Sequence, residues 1–287
     1  MTDRGYHIPY LEWMITTSCD LACPGCDRFI EYDHNWTESL QDIKQRMVKW
    51  SKKLDPDNLT IIGGEPLIHP NLYDIIKHSA KCFDHSTIEI YTNGLLLHKK
   101  PKLYNTLRKI GKAKLSVTLH NRNPQIRKWI NYNLDKQFFQ KDKWNKVGKN
   151  YWKSGNIEIE ITDPTQGGWY EYRKQVNGKI KPWNDNDIDS SYSNCTANVY
   201  PIIYKDKLYK CPPISMLMTQ ATKYNFLNDA DWELYLNYKP YSADDNLEDF
   251  IQNINCAHNI CNMCPANPVL IQQPEAIVKH NIEKLVI

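Results

Sequence analysis

Three cysteines lie close together near the start of the chain, in the segment Cys19-Asp-Leu-Ala-Cys23-Pro-Gly-Cys26. Their spacing is C-x3-C-x2-C, and they directly follow a stretch with the pattern of a strand. Three thiolates on one short loop can bind three irons of a [4Fe–4S] cube, because such clusters are held by cysteine sulfurs. The fourth iron then has no protein ligand, so a small molecule can bind it and receive an electron from the cluster.

Zinc is the other metal that this spacing allows. A closed zinc site needs four protein ligands, and Asp20, Asp27 or His34 would supply the fourth. The cysteines alone therefore leave both metals open.

A second motif, Gly63-Gly64-Glu65-Pro66, ends the next predicted strand, one crossover after the cysteine loop. In parallel α/β folds the carboxyl ends of neighbouring strands line one crevice. Glycine there lets the backbone approach a ligand closely, and Glu65 can accept hydrogen bonds from an ammonium group. Two glycines alone would indicate only a turn. At this distance from the cysteine loop they favour iron–sulfur over zinc.

With these two motifs the chain resembles the radical S-adenosylmethionine (SAM) enzymes, over roughly residues 10–165. The cysteine loop matches the family's cluster motif, and the Gly-Gly-Glu-Pro segment matches the one that holds the methionine amino group of SAM. Thr92 and Asn93, which end the third predicted strand, resemble another segment near the cofactor. Ser116 lies where the family often places a polar contact to the ribose.

One position departs from the family pattern. Many members have an aromatic residue just before the third cysteine, packed near the adenine, and this chain has Gly25. The adenine is then expected on another ring, such as Phe29 or Tyr91.

The resemblance implies the chemistry. A reduced [4Fe–4S] cluster donates an electron to SAM, releasing methionine and a 5′-deoxyadenosyl radical that abstracts hydrogen from the substrate. It also implies an electron donor such as flavodoxin or ferredoxin, and a small-molecule or peptide substrate.

Five further cysteines form a second set: Cys195, Cys211, Cys256, Cys261 and Cys264. A hairpin is predicted with arms at 199–204 and 207–210, so that one cysteine precedes it and another follows it. Hairpin thiols together with the C-x2-C pair at 261–264 make four ligands, enough for a zinc ribbon or a [4Fe–4S] cluster. Spacing does not decide between these two.

The second set resembles the twitch or SPASM extension of radical SAM enzymes, which implies an auxiliary [4Fe–4S] cluster. The ligands assigned are Cys195, Cys211, Cys261 and Cys264, with Cys256 as a spare or a replacement. A fully ligated cluster would relay electrons instead of binding substrate. The ninth cysteine, Cys82, is expected to be a small buried hydrophobe.

The surrounding pattern alternates strands and helices, which predicts parallel strands joined by right-handed crossovers. Strands are expected at 11–17, 58–62, 87–92, 114–120 and 157–162. Helices are expected at 36–54 with an Asn35/Glu38 capping box, 71–83, 103–110, within 124–153, and from about 275. This predicts an α/β fold, a partial (β/α)6-type barrel over 1–184, with a small β-hairpin and helix cluster-binding domain over 185–287. A doubly wound sheet is the alternative.

Substrate contacts are sought in the loop after the fifth strand and at the end of the fourth, since loops at this face of a barrel build active sites. The candidates for contact or proton removal are His120, Asp163, Trp169 and Arg173. For each one, ordinary packing is the competing interpretation.

Composition is that of a globular protein, with 41% hydrophobic and 24% charged residues among 287. No apolar run has the length of a membrane span, and residues 1–10 lack the apolar stretch of a signal peptide. We therefore expect a cytoplasmic location. In that reducing compartment, clustered thiols suggest metal binding and not disulfides. The net charge of +3 does not indicate a nucleic-acid partner.

Three reaction classes remain open within the radical SAM interpretation: oxidation of a small molecule, modification of a peptide, and chemistry on a nucleotide or cofactor precursor. The alternative to a radical SAM enzyme is a non-enzymatic binding protein that is stabilised by two zinc sites. That alternative gives the Gly-Gly-Glu-Pro segment no role.

Overall fold

A computed structural model describes residues 5–30, 34–166, 169–271 and 275–279. The strands are β1 (Tyr6–Thr16), β2 (Leu21–Ala22), β3 (Leu54–Gly63), β4 (Thr87–Thr92), β5 (Ala113–Thr118), β6 (Asn145–Gly148), β7 (Tyr151–Ser154), β8 (Ile157–Thr162), β9 (Lys174–Val176), β10 (Lys179–Lys181), β11 (Ile202–Tyr204), β12 (Lys207–Tyr209) and β13 (Ile277–Val278). The α-helices are α1 (Leu40–Trp50), α2 (Leu72–Cys82), α3 (Leu103–Ile110), α4 (Pro124–Gln137), α5 (Ile188–Ser193), α6 (Pro212–Lys223), α7 (Glu233–Leu236) and α8 (Glu248–Asn253).

The chain divides into two compact units. The first contains the described residues of 1–23, 30–167 and 273–287, and the second those of 24–29 and 168–272. The boundary expected at residue 184 thus lies inside the second unit. The β9–β10 hairpin belongs there as well, and Trp183 N donates to Met263 O over 3.1 Å within that unit.

The first unit is built on parallel strands in the order β1-β3-β4-β5-β8. Each strand lies beside its predecessor, so the crossovers all proceed in one direction across the sheet. A doubly wound sheet reverses its order at a switch point, and these five strands do not. The predicted fold class, a parallel α/β fold of the partial-barrel type, is confirmed.

The two faces of this sheet differ in chemistry. One register row across all five strands consists of residues with no solvent exposure: Trp13, Ile61, Ile90, Leu115 and Ile159. Helices α2 and α3 pack on β4 and β5, and α1 packs against α2. Burial of this aliphatic face stabilises the sheet, while the opposite face carries polar residues.

Helix α1 begins later than expected. Ser39 is its N-cap, and its side chain accepts from Asp42 N over 3.1 Å. The capping box expected at Asn35 and Glu38 is wrong, because the Glu38 carboxylate is bonded to Trp13 and Arg46 instead.

Two expected helical stretches contain strands. After α4 the chain forms the β6–β7 hairpin, and β7 pairs antiparallel with β8 from Tyr151↔Glu160 to Ser154↔Ile157. Near the C-terminus, Ile277–Val278 pairs with Leu21–Ala22, so the described part of the expected terminal helix is a strand. In both places strand pairing with a distant partner overrides the local pattern.

The second unit contains the predicted hairpin, formed by β11 and β12. Its two turn residues, Lys205 and Asp206, have φ values of 49° and 63°, as a two-residue type I′ turn requires. The unit has its own apolar core, which includes Leu217, Phe226, Trp232, Ile260 and Met263. Within the described residues of both units, the helices are all too short or too polar to cross a membrane.

Candidate active site

The ends of β1 and β3 lie side by side at the cysteine loop. Gly64 N donates to Thr16 O and Glu65 N donates to Ser18 O, each over 2.8 Å. A Cβ atom on Gly63 would lie 2.3 Å from Thr16 O, and one on Gly64 would lie 2.3 Å from Ser18 O. The space beside both glycines is thus taken by the backbone that leads into the cysteine loop, so only glycine allows this approach.

Glu65 is fully buried behind this turn. Its Oε1 accepts from Leu67 N (2.8 Å) and Thr92 Oγ1 (2.7 Å), and its Oε2 accepts from Asn93 N (2.8 Å). Burial, reinforced by the nearby charge of Asp20, raises the pKa of Glu65 to about 8, against the opposing effect of these donors. The carboxylate therefore ties the end of β3 to the end of β4.

Asn93 continues this connection to the cysteine loop. Its side-chain amide donates to Asp20 Oδ1 over 2.7 Å, and its Oδ1 accepts from Leu95 N. Asp20 directly follows Cys19, whose sulfur accepts from Leu21 N over 3.4 Å. The Gly-Gly-Glu-Pro turn, the Thr92-Asn93 segment and the start of the cysteine loop thus form one hydrogen-bonded network.

The first cysteine set is half-buried, and none of its thiols is in a disulfide. Cys19 and Cys23 belong to the first unit, and Cys26 belongs to the short segment that groups with the second. Cys26 O accepts from Phe29 N over 2.9 Å. Across the described residues, no three His, Cys, Asp or Glu side chains converge on a single metal-ion position.

A row of charged and hydroxyl side chains lies on the polar face of the sheet, and Ser116 is the member of it that the sequence singled out. Ser116 Oγ donates to Glu89 Oε1 (2.5 Å), and Thr60 Oγ1 donates to Glu89 Oε2 (2.8 Å). Lys114 pairs with Glu89 (3.3 Å) and with Glu160 (2.6 Å). The signal was available as polar residues at every second position of otherwise aliphatic strands.

Ser116 is therefore part of this network, only 3% exposed. Its register partner on β4 is Tyr91, which is 37% exposed. Of the two rings suggested for the adenine, Tyr91 thus lies on the polar face beside Ser116. The other, Phe29, is buried in the second unit.

Asp163, a candidate substrate residue, is bound to Arg127. The guanidinium donates to both carboxylate oxygens, over 2.7 and 3.0 Å, and Thr165 Oγ1 donates to Oδ1 over 2.6 Å. Burial raises the pKa of Asp163, but these donors outweigh it and the net effect lowers that pKa. Through its bonds to Arg127, the carboxylate joins the end of β8 to α4.

His120, at the end of β5, is the second candidate in the first unit. Burial lowers the pKa of His120 to about 4, although the charge of Asp163 opposes this. The ring is therefore neutral at pH 7. Its backbone carbonyl accepts from Ala276 N over 2.9 Å, which holds the segment before β13.

The remaining two candidates, Trp169 and Arg173, lie in the second unit and are each 7% exposed. The Arg173 guanidinium carbon is 3.4 Å from the centre of the Phe29 ring and 5.4 Å from that of Trp232. Such cation–π stacking favours a packing role for Arg173. Trp169 O accepts from Ile271 N over 2.9 Å.

Residues 13–140 match the family model described as the radical SAM superfamily. This part of the chain is similar to a radical SAM domain, and the match covers less than half of the chain. The match includes the cysteine loop, the Gly63–Pro66 turn and the polar strands β3 to β5.

Several curated proteins are similar over part of their length. The GTP 3′,8-cyclase of Peptoclostridium acidaminophilum is 29% identical over 132 residues, which is 44% of this chain and 38% of that protein. The GTP 3′,8-cyclase of Clostridium perfringens (strain SM101 / Type A) is 33% identical over 108 residues, 36% and 32% respectively. The matched region thus spans well under half of these relatives.

Two solved structures are also similar. BtrN in complex with AdoMet and 2-DOIA aligns with a TM-score of 0.45 at 14% identity, covering 80% of this chain and 87% of that one. Streptococcus suis SuiB aligns with a TM-score of 0.39 at 13% identity, covering 87% and 66%.

Outside the matched domain, the second unit brings four thiols into mutual electrostatic range. The charges of Cys195, Cys211 and Cys261 all act on Cys264. Cys195 and Cys261 also act on Cys211, and Cys261 acts on Cys195. Burial raises the pKa of Cys195 to about 11 and raises the pKa of each of the other three thiols. Without metal these thiols stay protonated at neutral pH, so metal binding would release protons.

Cys256 differs from these four. Its side chain is exposed, and its sulfur lies 3.9 Å from Gln252 O. Cys82 is half-buried on α2 beside His78 Nε2, at 3.3 Å. The charges of Cys256 and Cys82 are not among the main influences on the pKa values of those four thiols.

Proposed function

We propose that this protein is a radical SAM enzyme whose catalytic [4Fe–4S] cluster is held by Cys19, Cys23 and Cys26. The observation that carries the proposal is the network that runs from Glu65 through Asn93 and Asp20 to Cys19. When bound, the reduced cluster supplies the electron that cleaves SAM to methionine and a hydrogen-abstracting 5′-deoxyadenosyl radical. The donor set fits such a cluster, because three half-buried thiols share one loop.

The proposed SAM site consists of Gly63, Gly64, Glu65, Pro66, Thr92, Asn93 and Ser116. Within it, the two glycines hold the cysteine loop against the end of β3. Glu65 acts as a positioning residue, because its carboxylate already accepts three hydrogen bonds from the protein. Recognition of the methionine amino group then falls to the main chain of the turn.

The second cysteine set extends the proposal. Cys195, Cys211, Cys261 and Cys264 would hold an auxiliary [4Fe–4S] cluster in a twitch- or SPASM-like domain, as their mutual electrostatic range supports. Its task would be to accept the second electron of a two-electron oxidation. The substrate then loses one hydrogen atom to the radical, and one electron and one proton afterwards. SAM ends as methionine and 5′-deoxyadenosine.

Two substrate classes are compatible with this proposal. A small molecule or a peptide fits an oxidation that uses the auxiliary cluster, with flavodoxin or ferredoxin as electron donor. Nucleotide chemistry is the second candidate, and the names of the curated relatives favour it. Formation of 5′-deoxyadenosine that is accelerated by GTP and not by other compounds would select the nucleotide alternative.

Cluster content tests the central proposal. Anaerobically purified protein should contain about eight irons and as much acid-labile sulfide, and dithionite should start the cleavage of SAM to 5′-deoxyadenosine. Replacing Cys19, Cys23 and Cys26 by alanine should leave roughly half of the iron and abolish SAM cleavage. The matched control is Cys82→Ala on α2, which should keep all of the iron. Stoichiometric zinc without sulfide, or an intact reduced cluster that binds no SAM, would overturn the proposal.

A further inference from the structure

Residues 136–153, which include the end of α4 and the β6–β7 hairpin, form the basic segment of the chain. The segment contains six lysines and one aspartate, a net charge of +5. The whole chain has a net charge of +3, so the residues outside the segment together carry −2. Because β6 is the last strand in the order of the sheet, the positive charge is concentrated at one sheet edge.

Four lysines of the basic segment are open to a partner. The aspartate of the segment does not neutralise them, because Asp142 pairs with Arg108 at 3.4 Å and accepts from Tyr104 Oη over 3.1 Å. Lys153 is also engaged, in an ion pair with Glu158 at 2.6 Å. Four further lysines are exposed and form no ion pair with any residue that the structure describes: Lys141, Lys143, Lys146 and Lys149.

Aromatic packing holds this surface in shape. The Phe139 ring contacts those of Trp144 and Trp152, with 5.7 and 5.3 Å between ring centres. Trp144 Nε1 donates to Phe138 O over 3.0 Å, and β7 pairs with β8 along its whole length. Lys146 Nζ lies 5.7 Å from the centre of the Trp152 ring. A surface that is already ordered loses less conformational entropy when it binds a partner.

Protection of the sheet edge is a competing reason for lysines at this place. A lysine on an edge strand discourages pairing with another chain, and the irregular register between Lys146 and Gly148 does so as well. This role explains Lys146, which lies in β6. It does not explain the three exposed lysines that lie before or after that strand: Lys141, Lys143 and Lys149.

We propose that the basic segment is a docking surface for an acidic stretch of polypeptide. Exposed ammonium groups recur at every third residue through Lys143, Lys146 and Lys149, and they complement the carboxylates of an extended acidic chain. A single-stranded nucleic acid would need open aromatic rings on which its bases stack. Trp144 and Trp152 are instead partly buried against Phe139. The inference goes beyond the proposed function, because docking requires neither a cluster nor SAM.

A short fluorescein-labelled peptide of alternating glutamate and alanine is the probe, and fluorescence anisotropy with the full chain measures its binding. The same peptide with glutamine in place of glutamate should not bind. Raising the ionic strength from about 0.01 M to about 0.1 M should weaken binding of the acidic peptide, because the Debye length falls from about 30 to about 10 Å.

Two triple variants of equal charge locate the binding surface. The first replaces three exposed lysines of the basic segment: Lys143→Gln, Lys146→Gln and Lys149→Gln. The control replaces three exposed lysines outside it: Lys52→Gln, Lys81→Gln and Lys109→Gln. The first should bind the acidic peptide about tenfold more weakly than the parent chain, since each exposed ion pair contributes a factor of about two to three. The control should stay within about twofold, and circular dichroism establishes that both variants are folded.

Three outcomes would overturn the inference. One is a parent chain that does not bind the acidic peptide at low ionic strength, and another is equal affinity of the two triple variants. The third is a single-stranded RNA of the same length that binds the parent chain more tightly than the peptide does, which would assign the surface to nucleic acid. Failure of the proposed function is seen separately, as protein without acid-labile sulfide, and leaves peptide binding unaffected.

Discussion

Gly64 shows how one missing side chain positions a reactive loop. A Cβ atom there would come within 2.3 Å of Ser18 O and 2.9 Å of the Cys19 Cβ. Both distances are far below a normal contact, and both neighbours belong to the cysteine loop. The loop and an added methyl group cannot keep their places together.

We therefore expect Gly64→Ala to displace the first cysteine set. The variant should lose the iron of the first cluster and its SAM cleavage, retain the iron of the second, and lose about 1–3 kcal/mol of unfolding free energy by overpacking. Iron analysis and urea denaturation measure these effects. In the control Gly148→Ala, the added Cβ lies 3.3 Å from the Tyr151 Cβ, so both clusters should remain. A Gly64→Ala protein with full iron and unchanged SAM cleavage would show that the loop tolerates the methyl group.

At the scale of elements, Arg127 and Asp163 join the start of α4 to the end of β8. The guanidinium donates to both carboxylate oxygens and also to Asn121 O (2.9 Å) and Thr165 Oγ1 (2.8 Å). The two side chains are 25% and 16% exposed, so water screens the pair only partly. This geometry indicates a structural clamp and not a free catalytic base.

A double-mutant cycle tests the clamp. Asp163→Asn and Arg127→Gln should each lower the free energy of unfolding by about 1–3 kcal/mol, because each removes charge-assisted hydrogen bonds. Together they should cost less than the sum, with a coupling of about 0.5–3 kcal/mol. Additive effects would refute the clamp. Loss of SAM-dependent turnover in Asp163→Asn at unchanged stability would return Asp163 to the catalytic candidates.

The elements that the sequence predicts best are those whose pattern is local. β4, β8 and α3 match the expected 87–92, 157–162 and 103–110, because apolar period and turn residues mark both ends of each. The β6–β7 hairpin was missed, since its place depends on pairing with β8. The cap of α1 was misplaced because the fold recruits Glu38 to Trp13 and Arg46.

The candidate site divides in the same way. Cysteine spacing and the Gly-Gly-Glu-Pro segment are properties of the chain itself, and sequence analysis finds them. Glu65 accepts a hydrogen bond from Thr92, and Asn93 donates one to Asp20. Both bonds depend on how three strands are aligned in the sheet, and residue spacing alone does not reveal that alignment. The direct ligand contact expected of Glu65 stays a prediction, and what the structure adds is the set of protein donors around its buried carboxylate.

At the scale of the whole molecule, the described chain has two compact units, each with its own buried core. The four thiols assigned to the second cluster all lie in the second unit, and the proposed SAM-binding residues lie in the first. Replacing thiols of the second set leaves Cys19, Cys23 and Cys26 unchanged in the chain, so loss of the second cluster should leave the first in place. The chemistry of the two clusters can then be separated by mutation.

Cys261→Ala with Cys264→Ala makes that separation. The variant should keep about half of the iron and still cleave SAM with dithionite, because the first cysteine set and its network are untouched. With a compound that accelerates 5′-deoxyadenosine formation by the wild-type enzyme, the variant should form no oxidised product, since the second electron then lacks its acceptor. Cys256→Ala, at the exposed thiol, should retain both clusters and turnover. Circular dichroism and thermal unfolding establish that the double variant is folded, because metal ligands often also hold a fold. A folded double variant that oxidises substrate at the wild-type rate would make the second cluster structural and remove the main support for an oxidation.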